Sequence, residues 1–312
     1  MTFTIQRHIQ FSSPGMALKA LTRCVVALAF LSLSVIGHGG PAALAAEKLL
    51  TARVIQSGHS LTDPIPPVLT RMVHAAGGSG VIAQSTTPGS PMEWRWKHPT
   101  ATPDARLQIS DFEILVLTER VPLSNTLPWH GSEKSALEWF EHAWAKGNGG
   151  NGAETVLYAS WVGIDSGPSG PNPYNDPEAH VPWRDRLPLE SARWEQIADS
   201  VNANRPEGSP AMRVIPGPQI MAAIHDGIAD GTAPDLKDIS ELFSDTIHLN
   251  DLGAYAISLA HFAVIYGRDP RGLPADVGAG KSPSPALAAW LQEIVWKTVT
   301  TYERSGVTAT TQ

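Results

Sequence analysis

Short apolar runs recur along the chain and predict β-strands. The clearest is residues 112–117 (FEILVL), which is almost continuously apolar, as expected for a strand buried on both faces. The remaining runs are shorter and end near glycine or other turn-forming residues. They comprise residues 52–56, 80–84, 155–158 and 212–215. The pattern therefore predicts five strands in all.

Helical periodicity occupies most of the segments between these strands. In the segment that Ser132 opens as a predicted cap, apolar residues recur at helical spacing until the glycines at 147–150 end it. Further helices are predicted over residues 67–76, 189–203, 219–228, 252–266 and 287–299. Alternation of this kind predicts an α/β fold of three layers (α/β/α) around a five-stranded parallel sheet. Ligands of such sheets bind at the carboxyl ends of the strands.

One long segment, residues 162–188, shows no periodicity and is rich in Gly, Pro and Asn. We interpret it as a loop that leaves the fourth strand, and it holds Tyr174, His180 and Trp183 as candidate ligand contacts. Loops of this length are commonly either functional or disordered. A lid or specificity wall and a disordered insertion are therefore both open interpretations.

The N-terminal residues have the pattern of a secretory signal. Lys19 and Arg23 precede an apolar run at residues 25–36, and Ala43-Leu44-Ala45 has the form of a leader-peptidase site. We predict cleavage after Ala45, with residues 1–15 as an upstream extension, and the alternative is an uncleaved anchor. Residues 46–312 are then a single domain without a membrane span, in the periplasm or outside a bacterial cell.

Composition narrows the function classes. The chain is 42% apolar and 17% charged with a net charge of −7, which is typical of a globular protein and unfavourable for nucleic acid. Removal of residues 1–45 takes three basic residues and no acid, and so changes the charge to −10. The only cysteine, Cys24, leaves with the leader, which excludes disulfides, cysteine-ligated zinc and a cysteine nucleophile.

Two polar segments carry candidate chemistry. Ser60 follows the first strand in Ser57-Gly58-His59-Ser60-Leu61, where a glycine permits a tight turn and exposes the next hydroxyl. Far along the chain, Asp245 and His248 are three positions apart, so that one turn of backbone can set the carboxylate beside the imidazole. An imidazole that a carboxylate orients can activate a serine hydroxyl. Taken separately, each segment is equally compatible with an ordinary turn or a helix cap.

Together, the two segments resemble the GDSL/SGNH hydrolase family, in which the nucleophile follows the first strand and the acid and base share a late loop. The resemblance covers almost all of the chain after the leader and implies a flavodoxin-like sheet. It implies that Ser60 is the nucleophile, His248 the base and Asp245 the residue that orients it. Gly58, Ser60 and Leu61 match the first motif, whereas His59 stands where the family has an acid.

The resemblance also implies an oxyanion hole. Gly89, in Thr87-Pro88-Gly89-Ser90, is a candidate for its glycine N–H donor. The family's asparagine after the third strand is replaced by Glu119, and an ionised carboxylate cannot donate a hydrogen bond. Either a protonated Glu119 donates, or Glu119 orients another group, or Asn125 supplies the amide.

Other patterns are weaker. Residues 275–282 (ADVGAGKS) fit a loose phosphate-loop motif, but prolines flank them and no strand precedes them, so we interpret them as a surface loop. The histidines show no metal-binding spacing, and we expect neither a metal nor a cofactor. Tryptophans in the predicted loops are candidate ligand contacts, whereas those on helix faces are candidate core. The loop set is Trp94, Trp96, Trp129, Trp161 and Trp183.

The sequence thus predicts an exported serine esterase whose substrate is a small-molecule or carbohydrate ester. Acyl transfer to a sugar hydroxyl would use the same residues. The alternative from another class is a non-catalytic periplasmic protein that binds carbohydrate or envelope on the same fold. The sequence leaves the oligomeric state open.

Overall fold

Five parallel strands form the central sheet of the computed structural model, which describes residues 49–99, 103–278 and 280–309. In chain order they are β1 (Val54–Gly58), β2 (Ile82–Thr86), β3 (Ile114–Leu117), β4 (Glu154–Ala159) and β5 (Arg213–Pro216). Their order in the sheet is β2-β1-β3-β4-β5, and every neighbouring pair is parallel. This is the strand order of flavodoxin-like folds, and it confirms the predicted sheet.

Eight α-helices accompany the strands in the part of the chain that is described. They are α1 (Ile65–Ala75), α2 (Met92–Lys97), α3 (Leu123–Thr126), α4 (Ser132–Lys146), α5 (Trp183–Asn204), α6 (Gly217–Ala229), α7 (Asp251–Tyr266) and α8 (Pro285–Thr301). None of these helices is long and apolar enough to span a membrane. The predicted leader, with its cleavage after Ala45, lies outside the described residues.

The helices cover both faces of the sheet and form two apolar cores. One core joins α1, α6, α7 and α8 to residues such as Val54 and Val116, while the other joins α4 and α5 to Ile55 and Leu115. Successive residues of one strand enter different cores because side chains alternate across a sheet. The continuous apolar runs in the sequence follow from this two-sided burial.

Two predictions about the helices need correction. Helix α5 begins at Trp183, inside the segment 162–188 that was predicted as loop, and contains Pro188 within its first turns. The sequence pattern did not reveal the start of α5, because prolines lie close to it. The first turns of this helix also face the loop, through the buried Arg186. Ser132 does not cap α4, since Gly131 is the N-cap and the Ser132 hydroxyl has no partner within the described chain.

Two buried histidines make stability depend on pH. Burial lowers the pKa of His59 and of His261 to about 4, so that both are neutral in the folded protein well below the usual histidine range. The unfolded chain takes up these protons near pH 6.5, before the folded protein does. The contribution of these histidines to the free energy of unfolding is therefore largest above pH 6.5, and it decreases as the pH falls from 6.5 to 4.

We expect each histidine to contribute about 3 kcal/mol to this decrease. Urea unfolding at pH 7, 5.5 and 4.5 measures the decrease. His261→Phe keeps a ring against Tyr158, whose ring centroid lies 4.6 Å away, and cannot be protonated. Its pH dependence should be shallower than that of the wild type, whereas His74→Gln, a change at an exposed histidine, should keep the wild-type slope. Parallel curves for the wild type and His261→Phe would show that His261 is not responsible.

Candidate active site

The turn after β1 presents Ser60 at the carboxyl edge of the sheet. Gly58 ends the strand, and a Cβ atom there would lie 2.0 Å from the Thr62 Oγ1 atom, so only glycine fits this close approach. The turn closes through a hydrogen bond of 2.8 Å from the Thr62 N–H to the His59 carbonyl, and α1 follows. The hydroxyl of Ser60 is therefore held on a short, well-braced turn.

A second turn, just before α7, carries Asp245 and His248. One carboxylate oxygen of Asp245 accepts the backbone N–H groups of Ile247 and His248 at 2.8 and 2.7 Å. The buried indole of Trp161, which follows β4, donates to the Ile247 carbonyl at 3.0 Å. The turn is thus fixed from within by a carboxylate and from the sheet by an indole.

These two turns meet in one hydrogen-bonded chain. The His248 Nε2 atom lies 2.8 Å from the Ser60 hydroxyl, although the two residues are 188 positions apart in sequence. The His248 Nδ1 atom lies 2.7 Å from the second carboxylate oxygen of Asp245. Because an ionised carboxylate only accepts, Nδ1 carries the proton and Nε2 is free to accept from Ser60. The structure brings together the three residues that the sequence singled out.

The charge of Asp245 is stabilised mainly by its own turn. The backbone N–H of His248 makes the largest contribution, followed among the stabilising groups by the Ile247 N–H and the imidazole, and together they lower the pKa of Asp245 to about 2. Asp245 is therefore a carboxylate at every pH at which the protein is expected to work. A permanent negative charge beside Nδ1 stabilises an imidazolium at His248.

A cavity of about 490 Å³ opens over the Ser60 hydroxyl. Leu61, Val121, Pro122 and Ile247 give it apolar walls, and Tyr174 stands at its edge with 78% of its surface exposed. The residues that form its polar lining are Ser60, His248, His59, Gly89, Arg120 and Asn125. No carboxylate lines the cavity within the described part of the chain.

Gly89 and Asn125 both lie at this cavity, as a role in an oxyanion hole would require. Gly89 has a φ angle of +66°, which favours glycine, and a Cβ atom there would meet nothing within 4 Å. Within the described residues, the N–H groups of Ser60 and Gly89 have no hydrogen-bond acceptor. The Asn125 side chain donates one hydrogen to the Tyr174 carbonyl at 2.9 Å, which leaves a second N–H.

Glu119 lies elsewhere. It is fully buried and is not among the residues that line the cavity. Its Oε1 atom accepts the backbone N–H groups of Met92 and Arg120 at 3.0 and 2.6 Å. The predicted donor role therefore needs correction, because the carboxyl group acts as an acceptor that joins α2 to the end of β3.

His59 is also structural in its contacts. Its Nε2 atom donates to the Glu119 carbonyl at 2.9 Å, and Nδ1 accepts from the Leu61 N–H at 3.4 Å. Burial, assisted by the charge of Arg95, keeps the ring neutral. His59, which stands where the GDSL/SGNH family has an acid, thus joins the turn after β1 to the end of β3.

The loop tryptophans divide into two groups. Trp161 and Trp183 are buried, and their indoles donate to backbone carbonyls at 3.0 and 2.9 Å, so they hold loops together. Trp96 is half-buried, whereas Trp94 and Trp129 are exposed and remain candidate ligand contacts. None of the five lines the cavity.

The loop after β4 is held in place by buried charge. Arg186 pairs with Asp176 and donates to the Ser124 hydroxyl at 3.0 Å, which joins the loop to α3. Of the three loop residues that the sequence singled out, Tyr174 lines the cavity, His180 is exposed away from it and Trp183 is buried. The loop therefore supplies one wall of the cavity through Tyr174.

Sequence reasoning missed Arg95 and Arg120. Arg95 is fully buried beneath the turns, and Arg120 lines the cavity. Arg120 stands beside Glu119 in the segment where the family pattern is lost, and this departure was the one available signal. Arg95 lies on the short helix α2, which has no periodicity to reveal it.

Comparison with known proteins gives a fold and no family. No family model matches the chain, and no curated protein matches it. The crystal structure of a DUF4886 family protein from Bacteroides uniformis is similar, with a TM-score of 0.56 and 15% identity, over 83% of this chain and 98% of that one. A likeness at this identity shows the fold alone.

Two further structures are more distant. One is a protein from Parabacteroides merdae described as a GDSL-like lipase, with a TM-score of 0.43 and 12% identity over 69% of this chain and 95% of that one. The other is a Bacillus subtilis protein, with a TM-score of 0.42 and 14% identity over 70% of this chain and 56% of that one.

No group of three or more His, Cys, Asp or Glu side chains within residues 49–99, 103–278 and 280–309 is arranged to hold a metal ion. The described residues of the phosphate-loop motif, 275–278 and 280–282, lie in irregular chain before α8, with neither a strand directly before them nor a helix at Lys281.

The origin of the low pKa of Asp245 can be tested directly. The backbone N–H of His248 is the largest contributor, so His248→Ala, which keeps that N–H, should raise the pKa only part of the way towards 3.8. The titration is followed by the ¹³C shift of the Asp245 carboxyl group in protein labelled at aspartate. A pKa of 3.8 in His248→Ala would mean that the imidazole, and not the turn, holds the carboxylate.

Proposed function

We propose that the protein is an exported serine hydrolase that cleaves a carboxylic ester through an acyl-enzyme on Ser60. The observation that carries this proposal is the hydrogen-bonded chain from Ser60 through His248 to Asp245, which opens into a cavity of about 490 Å³. A cavity of this volume lies within the range of small-molecule sites. Export rests on the leader pattern of the first 45 residues and places the activity in the periplasm or outside the cell.

The chemistry follows from the proton positions. His248 Nε2 takes the Ser60 proton as the Ser60 oxygen attacks the ester carbonyl, and the Asp245 carboxylate stabilises the imidazolium that forms. The imidazolium then gives its proton to the leaving alkoxide, and the acyl group stays on Ser60. Water attacks the acyl-enzyme with His248 again as the base, which releases the acid and restores the serine. A sugar hydroxyl in place of water would make the same site an O-acyltransferase.

Three donors at the cavity support stabilisation of the tetrahedral intermediate. The N–H groups of Ser60 and Gly89 have no acceptor in the described structure, and the second amide hydrogen of Asn125 is available. Donors of this kind favour the charged intermediate over the neutral ester and so lower the barrier. In this proposal, Asn125 has the role of oxyanion donor that the resemblance implies for an asparagine directly after β3.

A serine-directed reagent separates hydrolase from binding protein. Incubation with a fluorophosphonate should give a covalent adduct on Ser60, detected by mass spectrometry of the intact protein and of its peptides. Ser60→Ala should form none, and Ser79→Ala, a change at an exposed serine outside the cavity, should be labelled like the wild type. The absence of an adduct on folded wild-type protein would favour the non-catalytic alternative.

A pair of variants separates the role of Asn125 as an oxyanion donor from its hydrogen bond to the loop. Asn125→Ala should reduce kcat for a small aryl acetate by about 100-fold, the usual loss for one oxyanion donor, with little change in KM. Asn172→Ala is the matched control, because Asn172 holds the same loop through two hydrogen bonds to the Asp176 backbone and donates nothing to the cavity. We expect it to leave kcat within about threefold, the scale of a neutral surface change. Equal losses in the two variants would show that loop position, and not a donor, is responsible.

A further inference from the structure

Arg120 lines the cavity as a cation without a counterion. Its side chain is half-buried, and within the described residues it forms no ion pair. Its only side-chain hydrogen bond is a long one of 3.5 Å, from Nε to the Thr126 hydroxyl. Both terminal nitrogens of the guanidinium are therefore available to a ligand.

The surroundings that are described give this charge no carboxylate partner. The chain has more acids than bases, and several of its arginines pair with carboxylates; Arg184 with Asp226 and Arg304 with Asp199 are examples. The carboxyl group nearest in sequence, that of Glu119, accepts the Arg120 backbone N–H and does not pair with the guanidinium. No other carboxylate lines the cavity among the residues described.

The backbone of Arg120 is fixed although its head group is not. The 2.6 Å bond from its N–H to the buried Glu119 carboxyl group fixes the backbone of Arg120 in the segment that follows the end of β3 at Leu117. The low pKa of the buried His59 comes mainly from burial and from the charge of Arg95, and the charge of Arg120 makes a smaller contribution. His248 is neutral when it acts as a base, so Arg120 carries the only permanent charge on the cavity lining that is described.

We propose that Arg120 recognises a carboxylate on the substrate, so that the preferred substrates are esters that carry an anionic group. This inference rests on the proposed function and names its substrate class. A guanidinium binds a carboxylate through two parallel N–H···O bonds, which fixes orientation as well as adding affinity. A carboxylate held there and an ester carbonyl at Ser60 would lie in the same cavity. The anionic group belongs either to the acyl part or to the alcohol part of the ester.

Two matched pairs of esters distinguish these sources. The acyl arm compares the 4-nitrophenyl monoester of succinic acid with 4-nitrophenyl butyrate, which has a similar length and no charge. The alcohol arm compares 4-acetoxybenzoate with its neutral methyl ester. We expect the wild type to prefer the anionic member of one pair in kcat/KM, and Arg120→Gln to reduce that preference by about 10- to 100-fold, the value of a hydrogen-bonded ion pair. Any loss for the neutral member should be smaller, because that ester lacks the carboxylate, so the ratio of the two kcat/KM values is the readout.

Two further variants serve as controls. Arg120→Lys keeps the charge but loses the planar fork, and should retain part of the preference. Arg71→Gln removes an exposed arginine outside the cavity, which donates a hydrogen bond to the Val277 carbonyl, and should leave the preference unchanged. The preference of the wild type should also weaken as salt is added, because screening reduces the attraction of partly exposed charges.

A binding measurement keeps this inference separate from the proposed function. In Ser60→Ala, which cannot form an acyl-enzyme, calorimetry should show about tenfold tighter binding of the favoured anionic ester than of its neutral partner. Adding Arg120→Gln should abolish the difference. Equal binding of the two esters, or a preference that survives Arg120→Gln, would overturn the role of Arg120. Failure of Ser60 to form an adduct alongside an Arg120-dependent preference would instead overturn only the hydrolase.

Discussion

A guanidinium buried beneath the carboxyl edge of the sheet holds together the strand ends on which the site is built. Arg95 donates to the Ser57 hydroxyl in β1, to the Ser90 carbonyl after β2 and to the Thr118 carbonyl after β3. A buried cation is tolerated only where such acceptors satisfy it, and burial lowers the pKa of Arg95 to about 10. The same bonds that satisfy the charge fix these three strand ends relative to one another. The Ser60 turn follows Ser57 at the first of them, and Gly89 directly precedes Ser90 at the second.

The rest of the site is brought to this edge by the late turn before α7. The Asp245 carboxylate stabilises that turn by accepting hydrogen bonds from its backbone. The Trp161 indole hydrogen-bonds the same turn to the end of β4. The contact of 2.8 Å between Ser60 and His248 is therefore the meeting of two separately braced turns. Geometry of this kind needs no rearrangement for proton transfer, which is what preorganised catalysis requires.

The sequence was informative where a local rule applied. The five strands followed from the apolar runs. Ser60, Asp245 and His248 followed from the resemblance of two motifs, taken together, to the GDSL/SGNH hydrolase family. It was less informative for α2 and α3, which are too short to show a period, and for the start of α5, where prolines obscured the helix. The predicted role of Glu119 was wrong for a related reason. A position within a motif says where a residue stands along the chain but not in which direction its side chain points.

By itself, then, the sequence determined the α/β class and the parallel sheet, because strand burial shows in the apolar pattern of the chain. It also indicated the three residues of the hydrogen-bonded chain, through two motifs that resemble a known family. Only the tertiary structure decided that Glu119 turns inward to two backbone N–H groups while Asn125 and Arg120 line the cavity. It also decided that Trp161 and Trp183 hold loops rather than face a ligand. The physical reason is that hydrogen-bond partners for these groups come from distant segments, and their choice is made when the segments pack together.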